Sequence, residues 1–86
     1  MQFQPTRALI TRDDDGDPTH EVFHDVPGMI PGEPEIGSPL QLFLDSGKVM
    51  RTTAVQHVDR HGSELVVDTA NSRYRLKLSD QRVMKS

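Results

Sequence analysis

Residues 64–78, with the sequence ELVVDTANSRYRLKL, decide the fold class of this chain. Apolar side chains recur at every second position from Leu65 to Val67 and again from Tyr74 to Leu78, which is the period of a β-strand with one buried face. The Asn and Ser between these two runs favour a tight turn. The stretch therefore predicts a β-hairpin with an apolar face and a charged face.

Two registers of this hairpin would separate apolar from charged residues. A two-residue loop at Asn71-Ser72 places Val67 opposite Leu76. A slip of two residues instead places Asp68 opposite Arg73, so that opposite charges face each other across the hairpin. The sequence leaves both registers open.

Two further strands are predicted before the hairpin, separated by a turn at Ser46-Gly47. Leucine occupies every second position from Leu40 to Leu44, which is again strand periodicity. Val49–Val58 is rich in Val and Thr, which favour strands, but neither of its faces is uniformly apolar. We expect this pattern of a strand that bends around a small barrel, because its buried face switches at the bend.

The N-terminal part of the chain is less regular. Gln2–Arg12 is a candidate strand, and Asp13–Pro18 is expected to end it as a solvated acidic turn. Thr19–Val26 is ordered but of undecided type. Pro27–Pro39 contains four of the six Pro and three of the six Gly, so we predict a packed loop there that begins with a turn at Pro27-Gly28.

These elements predict an all-β protein with a single domain over residues 1–86. We expect a small barrel of about five strands with its core in residues 40–86, and an irregular, strand-containing arm, residues 1–39, packed on it. The chain has no cysteine, no apolar run near the ~20 residues of a membrane helix, and no basic-then-apolar signal sequence at its start. We therefore expect a cytoplasmic protein that does not enter a membrane.

The sequence LFLDSGK at residues 42–48 is followed by the bent strand as far as Asp59 and by two shorter strands. In this arrangement the chain resembles small SH3-like and Sm-like barrels from Leu40 onward. Residues 51–55 and 69–74 also resemble a pattern in short bacterial proteins. The resemblance implies a small barrel with a tendency to self-associate.

The residues with which Sm-family proteins bind RNA are missing from this sequence. Those proteins carry a glycine inside the second strand, where this chain has Thr52 or a neighbour. They carry an Asn shortly after the Asp, where this chain has His61-Gly62-Ser63. Their Arg-Gly pair does not occur here. The resemblance therefore implies an architecture but no RNA site.

A possible metal motif lies at residues 20–24, HEVFH, which match the HExxH signature of zinc proteases. On a helix, His20 and His24 would lie about 6 Å apart and could share a zinc ion, with Glu21 as the base. Pro18 and Pro27 leave room for only a short helix, and in a strand the two His would lie about 13 Å apart. We therefore expect no metal or other cofactor, and His20 and His24 are remote candidates for the ligands of a zinc hydrolase.

Basic side chains alternate along the last strand of the hairpin. They share one face of that strand and, with arginines from earlier in the chain, could bind phosphate or an acidic partner. Glu64 and Asp68 on the neighbouring strand could equally neutralise them. The candidate binding residues are Arg51, Arg60, Arg73, Arg75 and Lys77.

Charge is unevenly distributed along the chain. Residues 1–45 hold two Arg against nine Asp or Glu, and residues 46–86 hold eight Lys or Arg against four, for a net charge of −3. This favours two parts of one fold, or two subunits, that neutralise each other. Because a short sheet leaves exposed edges, we expect a non-enzymatic binding or assembly module that forms a homo-oligomer and could bind another protein. A weak nucleic-acid-binding protein is the alternative.

Overall fold

The computed structural model describes residues 5–14 and 18–79, which form a closed antiparallel β-barrel. Each strand pairs with the next one along the chain, and the last strand pairs with the first. The predicted all-β barrel is confirmed, with six strands where about five were expected. The strands are β1 (Thr6–Asp14), β2 (Glu21–Ile30), β3 (Pro39–Leu44), β4 (Val49–His61), β5 (Glu64–Thr69) and β6 (Ser72–Leu78), with a short 3-10 helix at Pro18–His20.

The N-terminal part contributes two strands to the barrel wall, where an arm on its surface was expected. β1 pairs with β6 over seven residues and continues to Asp14, into the acidic run that was expected to be a turn. The turn predicted at Pro27-Gly28 is wrong, because both residues lie within β2. The carbonyl oxygen of Pro27 accepts the N–H of Asp45 at 3.0 Å, so the backbone N and O atoms of Pro27 both face the end of β3. Pro27 is tolerated in β2 because its pairing with β1 does not need an N–H group from this residue.

The interior of the barrel is filled from alternate positions of all six strands. Gly28 faces this interior, and a Cβ atom there would lie 2.7 Å from the carbonyl oxygen of Phe43 and 3.0 Å from Cδ1 of Ile10. Glycine thus allows β2 and β3 to approach closely. The buried apolar residues are Ala8, Ile10, Ile30, Leu40, Leu42, Val55, Leu65, Val67, Tyr74 and Leu76.

Of the two registers left open by the sequence, the hairpin β5–β6 adopts the one with Asp68 opposite Arg73 and not the one with a loop at Asn71-Ser72. The loop is Ala70-Asn71, and Ser72 is the first residue of β6. The hydroxyl of Ser72 is buried and donates to Oδ1 of Asp14 at 3.2 Å. This contact joins β6 to β1 in the observed register, and it could not be predicted from the hairpin sequence alone.

The long strand β4 bends as predicted. Its inward-facing positions pass from Thr52 to Val55 and then to Val58, so the buried face switches twice. β4 pairs with β3 through Ala54 and with β5 from Val55 onward, with a register shift on each side of this change. The bend therefore allows β4 to pair with β3 along its first half and with β5 along its second half.

The two ends of the barrel differ in what they carry. The end that we call the turn end has the β3–β4 and β5–β6 turns, and β1 ends and β2 begins there. The opposite end has the loop of residues 31–38 and the turn at Gly62-Ser63. Within residues 5–14 and 18–79, no helix has the length and hydropathy that are needed to cross a bilayer.

Candidate functional site

Three of the predicted basic residues, Arg73, Arg75 and Lys77, lie side by side on the outer face of β6. Arg73 donates from Nε to Oδ1 of Asp68 on β5 at 2.7 Å. This hydrogen bond, and then the charge of Asp68, raise the pKa of the Arg73 guanidinium above its ordinary value. Neutralisation by a carboxylate of the neighbouring strand, the competing prediction, is thus observed for Arg73.

Arg75 is held by a carboxylate that the sequence did not assign to it. Asp13 of β1 is only 1% exposed and accepts hydrogen bonds from Nε and Nη2 of Arg75, at 3.0 and 3.3 Å. The carboxylate of Glu21 lies 3.6 Å from the same Nη2 atom. Burying a carboxylate costs free energy unless it is paired. The charge of Arg75 therefore neutralises Asp13 and is not available to bind a ligand.

Lys77 and His24 both lie near the carboxylate of Asp25, on the outer face of the barrel at a bulge in β2. The carboxylate of Asp25 lies 3.5 Å from Nζ of Lys77 and 3.3 Å from Nε2 of His24. The other ring nitrogen of His24 lies 3.0 Å from Oε2 of Glu21. The third cation of the β6 face therefore also has a carboxylate partner, although all of these groups are partly exposed.

The HExxH stretch does not form the helix on which a zinc site would depend. His20 belongs to the short 3-10 helix, while Glu21 and His24 lie in β2. Among the residues that the structure describes, no group of three or more His, Cys, Asp or Glu side chains is placed to hold a metal ion. The ring nitrogens of His24 instead lie near the carboxylates of Glu21 and Asp25 on the outer face.

Arg51 and Arg60 do not join the basic face of β6. Both are exposed on β4, nine positions apart. Arg60 donates to the carbonyl oxygen of Gly62 at 3.2 Å. Neither arginine has a carboxylate partner within residues 5–14 and 18–79. The five predicted binding residues therefore do not form one site.

An apolar surface that sequence analysis missed lies on the outside of three neighbouring strands. Met29 of β2 is opposite Phe43 of β3, and Phe43 is opposite Val49 of β4. Met29 and Phe43 are half-buried, and Val49 is 56% exposed. We call Met29, Phe43 and Val49 the outer apolar row. The sequence contains one indication of this row. Phe43 is an apolar residue that alternates with Leu42 and Leu44, so it has to lie on the opposite face of β3 from these leucines.

The surroundings of the outer apolar row are mixed. Leu9 on β1 is 38% exposed beside Pro27, so apolar surface continues toward β1. An ion pair between Arg7 and Asp45, 2.6 Å long, crosses the outer side of β2. An exposed apolar surface with a polar border is typical of protein contact sites.

Comparisons with models of protein families, with curated proteins and with solved structures find no match for this chain. The fold places it among small antiparallel β-barrel proteins. The outer apolar row and the paired charges are the features from which a function can be argued.

Proposed function

We propose that this chain is a non-enzymatic binding and assembly module of the cytoplasm that self-associates through the outer apolar row. The observation that carries the proposal is the position of Phe43, an aromatic side chain on the outer face between Met29 and Val49. A second copy that covers this row would remove its apolar surface from water. The absence of cysteine supports a reducing compartment.

The free first and last strands expected of a short sheet are not found, because β1 pairs with β6 and closes the barrel. A partial edge is left on β2. This strand pairs with β3 only at Gly28 and Met29, and Asp45 bonds to Pro27, so residues 21–26 have no β3 partner. The partial edge lies beside the outer apolar row, which supports a contact that combines apolar packing with strand pairing.

The test is the oligomeric state of the wild type and two variants. We expect an oligomer at micromolar concentration, measured by light scattering after size-exclusion chromatography. Val49→Lys should give a monomer, because it places a charge in the contact. Gln41→Lys is the matched control, since Gln41 is exposed on the outer face of β3 but lies outside the row. A wild-type monomer, or equal effects of the two variants, would contradict the proposal.

The nucleic-acid alternative has less support. Arg73, Arg75 and Lys77 are paired with carboxylates, so they have little free charge for phosphates. Arg51 and Arg60 are unpaired within the described part of the chain but lie apart on β4. A gel shift that appears at low salt and is lost in the double variant Arg51→Gln, Arg60→Gln would favour this alternative over assembly alone.

A further inference from the structure

A cavity of about 160 Å³ opens at the turn end of the barrel. It lies where β4 runs on past the end of β5: Val55 is opposite Thr69, the last residue of β5, and residues 49–54 pair only with β3. We call this cavity the mouth pocket. Among the residues that line it are Arg12, Arg51, Thr53, Asn71 and Tyr74.

Arg12 reaches the mouth pocket from the inner face of β1. Its guanidinium carbon lies 5.8 Å from the centre of the Tyr74 ring, a distance at which cation and ring attract each other. Its Nε atom is buried and donates no hydrogen bond to any described residue, although Oδ1 of Asp14 lies 3.3 Å away. Because the Nε atom is buried, a ligand in the pocket would meet Arg12 through the terminal nitrogens of its guanidinium group, which are hydrogen-bond donors.

Three of the hydroxyl hydrogens around the mouth pocket are already used within the fold. Thr52 donates to the carbonyl oxygen of Thr53 at 2.6 Å, and Thr69 donates to the carbonyl oxygen of Ser72 at 3.2 Å. Ser72 donates to Asp14. Among the described residues, the donors that remain for a ligand belong to Arg12, Arg51, Thr53, Asn71 and the hydroxyl of Tyr74.

Charge and size limit what the mouth pocket can hold. Among the described residues, Arg12 and Arg51 at the pocket and the carboxylate of Asp14 beside Arg12 together carry one net positive charge. The volume is below the roughly 300–1,000 Å³ of ordinary ligand pockets, so it suits a small group. A carboxylate has one negative charge and two acceptor oxygens for guanidinium donors.

We propose that the mouth pocket binds the carboxylate group of a small organic acid or of a free chain end. Arg12 and Arg51 provide the charge, Asn71 provides a neutral donor, and Tyr74 forms the apolar floor. The site uses residues at the turn end and does not depend on the outer apolar row.

The experiment is a titration followed by nitrogen–proton correlation spectra. We expect N-acetylglycine to cause saturable shifts at the amides of Asn71 and Ser72 and at the Nε–H of Arg12. N-acetylglycinamide, which has nearly the same shape without the charge, should cause none. Arg51→Gln should weaken binding at least about tenfold, because one charge-assisted hydrogen bond is lost.

Three controls make the result decisive. Arg12→Gln should weaken binding as Arg51→Gln does, and Arg51 is exposed, so that variant tests the site even if Arg12→Gln fails to fold. Arg60→Gln, at the opposite end of the barrel, should bind like the wild type. Equal shifts from sodium chloride or inorganic phosphate at the same ionic strength would overturn the assignment to a carboxylate.

Discussion

Arg73 and Arg75 lie two residues apart on one face of β6 but bind carboxylates in different surroundings. The side chain of Asp68 is 25% exposed, whereas that of Asp13 is 1% exposed. A pair near water contributes little to stability, because water solvates the separated charges almost as well. The carboxylate of Asp13 has almost no contact with water, so the hydrogen bonds from Arg75 take the place of hydration.

Arg75→Gln should therefore lower the free energy of unfolding by about 1.5–3 kcal/mol, because Asp13 loses the two charge-assisted hydrogen bonds that Arg75 donates. Arg73→Gln, the matched variant, should cost about 0–1 kcal/mol. Urea unfolding at neutral pH measures both values. If both variants lose a similar free energy of unfolding, Asp13 does not depend on Arg75 for its neutralisation, and the interpretation is contradicted.

Sequence alternation predicted which residues of β6 face outward, but not which carboxylate each one meets. Asp68 could be predicted for Arg73, since it lies in the same hairpin. Asp13 is 62 positions away from Arg75, and the two come together only because β1 pairs with β6. No local pattern contains that information.

Among the elements, β2 was the hardest to predict, because a bulge breaks its alternation. Val26 is opposite Ile10 and Phe23 is opposite Arg12. His24 and Asp25 of β2 therefore lie opposite the single residue Thr11 of β1. Asp25 within the bulge has a φ of 49°, and its N–H donates to the hydroxyl of Thr11 at 2.9 Å. The bent strand β4 was predicted from Val49 to Val58, because its mixed apolar pattern extends over ten residues, and the strand continues three residues further to His61.

The contact between β2 and β3 depends on Gly28. Gly28→Ala should lower the free energy of unfolding by about 1–3 kcal/mol, because the added Cβ would meet the backbone oxygen of Phe43, which cannot rotate away. Gly32→Ala is the control: a Cβ there has no atom within 4 Å, and the change should be within about 0.5 kcal/mol. Denaturant unfolding of both variants gives the comparison, and a harmless Gly28→Ala would mean that β2 and β3 lie farther apart.

In the whole molecule, part of the charge difference between the two halves of the sequence is neutralised by ion pairs on the outer face of the barrel. Arg75 with Asp13, and Lys77 with Asp25, each join a basic residue of the second half to an acidic residue of the first. Of the two interpretations left open by the sequence, these pairs support neutralisation within one fold.

The surfaces proposed for binding could not be predicted from the sequence, because their residues become neighbours only across strands. Met29, Phe43 and Val49 are adjacent through two separate pairings. Arg12 and Arg51 line one cavity although they come from β1 and β4. The barrel closure therefore determines the sites as well as the core.

Closure between β1 and β6 is tested most directly by a nuclear Overhauser effect between backbone protons. Ser79 N–H donates to the carbonyl of Arg7 at 2.9 Å, so the pair of Ile10 and Leu76 falls at a non-hydrogen-bonded position, with Cα atoms about 4.5 Å apart. We expect a strong cross-peak between the Hα protons of Ile10 and Leu76, and slow amide exchange in both strands. No cross-peak, with the β6-facing amides of β1 exchanging like those of a free edge, would contradict a closed barrel.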